Sequence, residues 1–311
     1  MKYSDWIEKW VARKEPLVKA STYAAYSNII VNHLLPRFGN CELADITEEA
    51  IQDYVFDLVR DGRLDRTSGL KHCSAKGILI VLKSTLRDAM RQKLIPQQMF
   101  DVRVPLSDKP YQVQILDKDV QRRLVQAIHL DLSCKSVGIL ISLYTGLRIG
   151  EVCGLKWSDF DFENRLLSVR RTVQRVYRKS LAGAGASKVV VSTPKSRTSR
   201  REVPIANMLH PVLLKMRSEN QAAYLVSGTE KCCEVRTFRE FFMRFLSRHG
   251  IPSIRFHALR HTFATRCIEA GGDCKTVSEL LGHATVNLTL NLYVHPQMEQ
   301  KRSCVERLEM F

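Results

Sequence analysis

Three short segments carry residues whose types and spacing suit chemistry on a phosphate. The first is Thr145-Gly146-Leu147-Arg148-Ile149-Gly150-Glu151-Val152-Cys153-Gly154-Leu155. The second is Phe256-His257-Ala258-Leu259-Arg260-His261-Thr262-Phe263-Ala264-Thr265. The third is Leu280-Leu281-Gly282-His283, followed ten residues later by Tyr293. His257 and Arg260 are three residues apart, so on a helix they share a face. Pro252 precedes them, and Leu259, Phe263 and Cys267 follow at helical spacing, which puts the pair at a helix start. Free N–H groups at such an end favour an anion, and a basic pair there makes a phosphate clamp. Arg148 comes just after Gly146, where a tight turn can aim its guanidinium. Two arginines can neutralise a phosphoryl group and stabilise its pentavalent transition state, because the planar fork matches phosphate oxygens.

Other chemistries fit less well. His257 and His261 have the spacing of a helical metal pair. Leu259 and Arg260 lie between them, whereas a metalloprotease would place a Glu beside the first His, and an arginine there repels a cation. His261 therefore reads as a packing residue or as support for the site. Asp159, Asp161 and Glu163 could suggest a magnesium nuclease, but a helix-to-strand turn accounts for them better. The nine cysteines are odd in number, scattered and without a C-x-x-C pair. They fit free thiols in a reducing compartment rather than a disulfide scaffold or a zinc site.

These residues need elements to hold them. A chain of 311 residues is enough for two domains. Its net charge of +16 and pI near 9.6 point to an acidic partner, nucleic acid before anionic membrane. No apolar run approaches the ~18–20 residues that span a bilayer, and the N-terminus lacks a signal-peptide stretch. A soluble, cytoplasmic protein with no membrane partner is expected. The charge is concentrated. From Arg165 to Arg201 there are eleven Lys or Arg and no Asp or Glu. A solvated sheet edge can carry lysines to block edge pairing, but a hairpin that contacts phosphates explains so one-sided a stretch better.

The N-terminal third reads as helical. Tyr23, Tyr26, Ile30 and Leu34 set one helix over about Ser21–Leu35, ended by Pro36 and Gly39. Thr47 is the expected N-cap of a second, with Glu48 and Glu49 in its first turn and Asp61-Gly62 at its end. A third covers about Leu70–Lys93, with Ile78, Leu82, Leu86 and Ala89 inside and Lys76, Lys83, Arg87 and Arg91 on the other side. Pro105 and Pro110 mark a linker. The expected division is a helical domain over residues 1–104, a linker over 105–112, and a larger domain over 113–311. In the larger part, helices open at Asp117-Lys118-Asp119 and cover about Ser136–Tyr144. Strand candidates follow at Leu166–Tyr177, Lys188–Ser192 and Arg201–Ile205, and then more helices. The fold class is mainly α with a small antiparallel β-sheet.

Taken in this order, the T-G-L-R-x-x-E, H-x-x-R-H-T-F-A-T and L-G-H…Y segments resemble those of the tyrosine recombinases, also called the phage integrase family. Singly each is weak; together they are highly specific. The resemblance covers about Leu116 to His295. It extends more loosely to Trp6, Ser21-Thr22-Tyr23 and the Leu70–Lys93 helix, which look like the family's helical core-binding domain, with a tyrosine-recombinase catalytic domain after it. The look is nearest to integrases of conjugative transposons and Gram-positive phages. Many of those carry an extra N-terminal arm-binding domain, and none is expected within these 311 residues.

The resemblance implies roles residue by residue. Tyr293 is the nucleophile, forming a 3′-phosphotyrosyl bond and freeing a 5′-hydroxyl. Arg148 and Arg260 hold the scissile phosphate. His257 and His283 hydrogen-bond it, and one of them helps to accept the tyrosine proton. Lys195, in Thr193-Pro194-Lys195-Ser196-Arg197, protonates the leaving 5′-oxygen. The Gly/Ala-rich insertion Leu181–Ser187 leaves Lys188 as a competing candidate. Glu151 orients the arginine or histidine layer. The ten-residue step from His283 to Tyr293 is nine in many members. A tyrosine, with its pKa near 10, needs a proton acceptor and a positive field to attack. The covalent link conserves the phosphodiester energy, so rejoining needs no ATP. Arginines in place of metal ions remove the need for magnesium, so no cofactor and no metal are expected.

The implied function is site-specific DNA recombination or integration by a bacterial or phage-encoded enzyme, through a Holliday junction. The implied partner is double-stranded DNA, gripped by Lys76, Lys83 and Arg87 on one domain and by Arg171, Arg175 and Arg197 on the other. A homotetramer on two DNA sites and an accessory directionality factor belong to the same expectation. The tail Gln297–Phe311, with Met298, Val305 and Leu308 on one stripe, reads as an amphipathic helix that docks on its own domain or on a neighbouring subunit. Two alternatives stand beside this reading. A type IB topoisomerase-like enzyme shares the nucleophile chemistry, but the tail and small size favour recombination. A non-catalytic DNA-binding protein of the same fold is disfavoured, because all six chemical positions hold competent residues.

Overall fold

Helix α1 (Tyr3–Lys14) shows how the N-terminal part is assembled. Its Tyr3, Trp6, Ile7, Trp10 and Val11 are buried, and the polar tips of the aromatic side chains find partners on one later helix. Tyr3 Oη and Thr85 Oγ1 are 2.9 Å apart, Trp6 Nε1 donates to Thr85 O at 3.1 Å, and Trp10 Nε1 donates to Asp88 Oδ2 at 2.8 Å. An aromatic side chain supplies a large apolar body and, through its polar tip, a fixed orientation. The structure, a computed structural model, describes residues 1–65, 67–105, 113–181, 185–194, 199–293 and 306, and at 288 and 291–293 the backbone only.

The chain divides into two compact units. One comprises Met1–Tyr111 and Val176–Lys188, the other Gln112–Arg175 and Val189–Phe311. In the first, α1 is followed by α2 (Ala20–Ile29), a π turn (Ile30–Leu34), α3 (Leu35–Phe38), α4 (Glu48–Asp61) and α5 (His72–Arg91). Pro36 does not end the helix as its sequence context suggests. The preceding turn widens to the π form, and Pro36 falls in the first turn of α3, where a missing N–H costs nothing. Thr47 Oγ1 accepts from Ala50 N at 3.2 Å, the expected cap of α4. Ile78, Leu82, Leu86 and Ala89 of α5 are buried. Residues 176–188 join this unit through named bonds. Asn28 donates from Nδ2 to Tyr177 O at 2.7 Å and accepts from Lys179 N at 2.9 Å. The Arg178 guanidinium lies 4.4 Å from the Tyr23 ring centroid and 3.1 Å from Glu15 Oε1.

The second unit begins with α6 (Lys118–Leu130), α7 (Cys134–Thr145) and α8 (Ile149–Gly154). Ser133 and Ser136 cap α7 reciprocally, and Gly146 ends it in the left-handed region at φ +66°. The helix is buried along most of its length and packs against α6 and α8. The strands are β1 (Phe160–Asp161), β2 (Leu166–Val169), β3 (Thr172–Lys179), β4 (Gly185–Ser192) and β5 (Arg201–Pro204). Strands β1, β2 and β5 form one antiparallel sheet, with Leu167 opposite Val203 and Val169 opposite Arg201. Strands β3 and β4 form a separate pair. The single strand expected over Leu166–Tyr177 is therefore two, broken at Arg170-Arg171, and each half belongs to a different sheet.

Helices α9 (His210–Met216), α10 (Val235–Arg248), α11 (His257–Glu269), α12 (Cys274–Leu281) and α13 (Val286–Tyr293) complete this unit. Helices α10 and α11 pack on α7, and α12 and α13 pack on α11. The fold is mainly helical with small antiparallel sheets, as the sequence implies. Among the described residues, no helix is long and apolar enough to cross a membrane. The linker expected at 105–112 and the tail at 297–311 lie almost wholly outside the described residues.

Candidate active site

The ends of three short helices bring the candidate residues together. Leu147 is fully buried and anchors the turn after α7, so that Arg148 arrives as the N-cap residue of α8. Two glycines make this turn possible. A Cβ on Gly146 would lie 2.5 Å from Phe263 Cδ1, and one on Gly150 would lie 2.6 Å from the Val173 carbonyl oxygen.

Glu151 then organises the arginine. Its Oε2 accepts from Arg148 N and its Oε1 from Arg148 Nη1, both at 2.9 Å. The carboxylate is 3% exposed, so it must be paired. Burial pushes its pKa up, but Arg201 and Arg148 outweigh burial and hold it below the usual carboxylate range. Arg148 also reaches the carbonyls of Leu281 at 3.5 Å and Gly282 at 3.4 Å, at the end of α12.

His257 is the first residue of α11 and Arg260 lies on its first turn, as the spacing implies. Arg260 is 1% exposed and donates from Nη1 to Gly146 O at 2.9 Å. The rings of His257 and His261 meet edge to face, with centroids 4.5 Å apart. Partial desolvation and the charges of Arg260 and Arg148 hold His257 below the usual histidine range. Burial, with His257 and Arg260 beside it, pushes His261 down to about 4. Helix α12 ends on Gly282, left-handed at φ +64°, and this turn delivers His283. His283 Nδ1 and Thr289 Oγ1 are 2.9 Å apart. Burial, then Arg260, Arg148 and Arg201, push His283 down to about 4. Position 293 is the last of α13, one helical turn after Thr289.

Within the described residues Arg148, Glu151, His257, Arg260 and His283 thus form one constellation. Lys195 and Arg197 lie outside the described residues. Lys188, the competing candidate, is on β4 and exposed. The other expected DNA contacts differ among themselves. Lys76 and Arg87 are exposed on α5. Lys83 instead places Nζ on the carbonyl of Phe100 at 2.7 Å. Arg171 makes a two-pronged ion pair with Asp159, which is nearly inaccessible, at 2.9 and 3.1 Å. Arg175 pairs with Glu234.

One residue was missed. Arg201 also grips both oxygens of Glu151, at 3.1 Å and 3.4 Å, and its side chain is only 6% exposed. The signal was present in Arg201-Glu202-Val203, because strand period two puts Arg201 on the same face as the buried Val203. A charge on the inward face of a strand needs a partner.

Residues 114–300 match the phage integrase family, and residues 2–59 match its N-terminal SAM-like domain.

The chain belongs to the phage integrase family.

Among its relatives is a tyrosine recombinase XerC-like protein of Caldanaerobacter subterraneus subsp. tengcongensis, 37% identical over 54% of this chain and 47% of that one. Another is the transposase from transposon Tn916 of Enterococcus faecalis, 26% identical over 73% of this chain and 59% of that one. The ICEBs1 integrase of Bacillus subtilis is 23% identical over 94% of this chain and 78% of its own length. This phage integrase family chain thus spans about half the length of the first two relatives. In fold it matches the Tn1549 transposon integrase in complex with a circular intermediate DNA, with a TM-score of 0.78, 22% identity and 99% of both chains covered. It also matches lambda integrase residues 75–356 bound as a dimer to a core site, with a TM-score of 0.67, 20% identity and coverage of 94% and 96%.

Proposed function

We propose that this chain is a site-specific DNA recombinase that breaks and rejoins double-stranded DNA through Tyr293. The observation that carries the reading is the convergence of Arg148 and Arg260 with His257 and His283 on three helix ends, within a phage integrase family domain. Arg148 and Arg201 pair with the one carboxylate, Glu151, and Arg260, held on the Gly146 carbonyl, adds a third guanidinium, an excess of two positive charges. That excess suits a phosphoryl group that gains negative charge on the way to its pentavalent state.

In this reading the Tyr293 hydroxyl oxygen attacks the scissile phosphorus and the bond from phosphorus to the 5′-oxygen breaks. The product is a 3′-phosphotyrosyl enzyme and a free 5′-hydroxyl. The tyrosine proton passes to His257 or His283. Both are held neutral near pH 7 and so can accept it. His283 uses Nδ1 on Thr289, so Nε2 is the nitrogen left for the phosphate. Lys195 supplies the proton to the leaving oxygen. Rejoining reverses these steps with a 5′-hydroxyl from a partner strand. Exchange of two strand pairs in turn would need four active sites, so the working unit is a homotetramer on two DNA sites, joined where direction must be imposed by an accessory factor.

The test is a pool of nicked suicide duplexes tiled across the DNA that flanks the gene, incubated with the protein in EDTA. A covalent adduct on the 3′ side is expected, absent in Tyr293→Phe. An adduct that persists in Tyr293→Phe, or that requires magnesium, would refute the reading.

A further inference from the structure

Arg201 makes and breaks no bond in the steps just described, yet it touches more of the site than any other side chain on β5. Its two terminal nitrogens hold both oxygens of Glu151, and its Nε donates to the carbonyl of Leu280. Nη1 also meets the carbonyl of Ser199 at 3.2 Å. The same Glu151 oxygens take the backbone N–H and the guanidinium of Arg148. Leu280 lies on the same turn as Leu281 and Gly282, whose carbonyls accept from Arg148 and which lead to His283.

One fork therefore ties together three stretches far apart in the chain, around 148–151, 199–201 and 280–283. The first carries Arg148, the last carries His283, and the middle one follows directly on the segment that carries Lys195. Burying a charged pair is a poor route to stability, since apolar side chains of similar volume commonly do as well or better. A planar fork with donors aimed at separate acceptors is instead a means of fixing geometry.

We propose that Arg201 is a positioning residue for strand cleavage, holding Glu151 and the Leu280–His283 turn so that Arg148 and His283 stay in register on the phosphate. It does not touch the DNA. The proposal rests on the recombinase reading. Lysine at this position keeps the charge but has one nitrogen, which cannot reach the Glu151 oxygens and the Leu280 carbonyl together.

The experiment compares wild type, Arg201→Lys, Arg201→Met, Glu151→Gln and the double variant Glu151→Gln/Arg201→Met. Three quantities are read: the dissociation constant for the suicide duplex, the rate of adduct formation, and hydrogen exchange of peptides covering 148–151 and 280–283. Arg201→Lys and Arg201→Met should bind the duplex as wild type does but form the adduct roughly 100-fold more slowly, the cost of a misplacement near 1 Å. Exchange should quicken in those two peptides. The double variant should be no slower than the slower single variant, because both act through one network. Adduct formation at the wild-type rate in Arg201→Lys overturns the proposal, as do effects that multiply in the double variant. A loss of duplex binding in Arg201→Lys that matches the loss of rate also overturns it, because Arg201 would then act on DNA. If wild type itself forms no adduct, the recombinase reading fails. Exchange then decides the role of Arg201 alone, and unchanged exchange in Arg201→Lys refutes it.

Discussion

Arg260 donates from Nη1 to the carbonyl oxygen of Gly146 at 2.9 Å, so the first turn of α11 is fastened to the loop that delivers Arg148. The two arginines expected on the phosphate are therefore not placed independently. Gly146 sits at φ +66°, and a Cβ there would press into Phe263 and Leu281. Gly146→Ala should lower stability by roughly 1–3 kcal/mol, the usual cost of a left-handed non-glycine residue, with the clash in addition. Adduct formation should fall further than the unfolded fraction explains, because the carbonyl that anchors Arg260 moves with the loop. Urea unfolding and single-turnover cleavage, measured on the same preparation below the unfolding transition, check this.

Arg148→Lys should leave duplex affinity close to wild type and slow cleavage strongly. Arg148 is tied to Glu151 and to two carbonyls at once, and an ammonium cannot satisfy these and still present a fork to a phosphate. Gel-shift titration against adduct kinetics separates the two effects. Lost binding with normal cleavage at saturation would assign Arg148 to DNA affinity.

Much of this arrangement was legible in the sequence, because it rests on local rules. The cap at Thr47, the apolar face of α5, the basic pair at the start of α11 and the glycine turn before Arg148 all depend on residues within a few positions of each other. What was not legible depends on partners far along the chain or on a competing local solution. Pro36 looked like a helix end, and a π turn absorbed it. Arg171 stands in a run of basic residues, and nothing in that run announces its ion pair with Asp159, twelve positions earlier. The alternation with Val203 sets Arg201 on the inward face of its strand, but that its partner is Glu151, fifty positions earlier, follows only from the folded chain.

The pH dependence of stability has a definite sign. His261 and His283 titrate near 4 in the folded chain against an ordinary value of 6.5. The unfolded chain thus binds protons that the folded chain does not over that interval. Stability contributed by keeping these rings neutral is complete above about pH 6.5 and is lost as pH falls toward 4. Urea midpoints should drop between pH 7 and pH 5, and His261→Phe should flatten that drop while keeping an aromatic ring edge to face with His257. A midpoint that rises toward pH 5 would contradict the burial of these rings. For cleavage, no loss of rate should appear near pH 6.5, since His283 remains a proton acceptor well below it.

Asp159 is almost inaccessible and depends on Arg171 for charge balance. Removing one partner of a buried ion pair costs about 3–5 kcal/mol, because the other charge stays behind without compensation. Arg171→Ala should therefore lower the unfolding free energy by an amount of that order. The double variant Arg171→Met/Asp159→Leu should recover most of it. If Arg171→Ala instead leaves the unfolding transition unchanged and weakens only duplex binding, Arg171 faces DNA.

The discontinuous make-up of the first unit limits how the chain can be recut. Residues 176–188 carry backbone groups satisfied by Asn28 and a guanidinium seated on Tyr23 and Glu15. A chimera that takes its amino-terminal helices from a relative cannot be made at a single splice near residue 112. It needs three junctions, near 111, 175 and 188, so that the hairpin end travels with the helices it fits. A fragment starting at Val113 would likewise present Tyr177 O and Lys179 N to water, and should be more prone to proteolysis there than the whole chain.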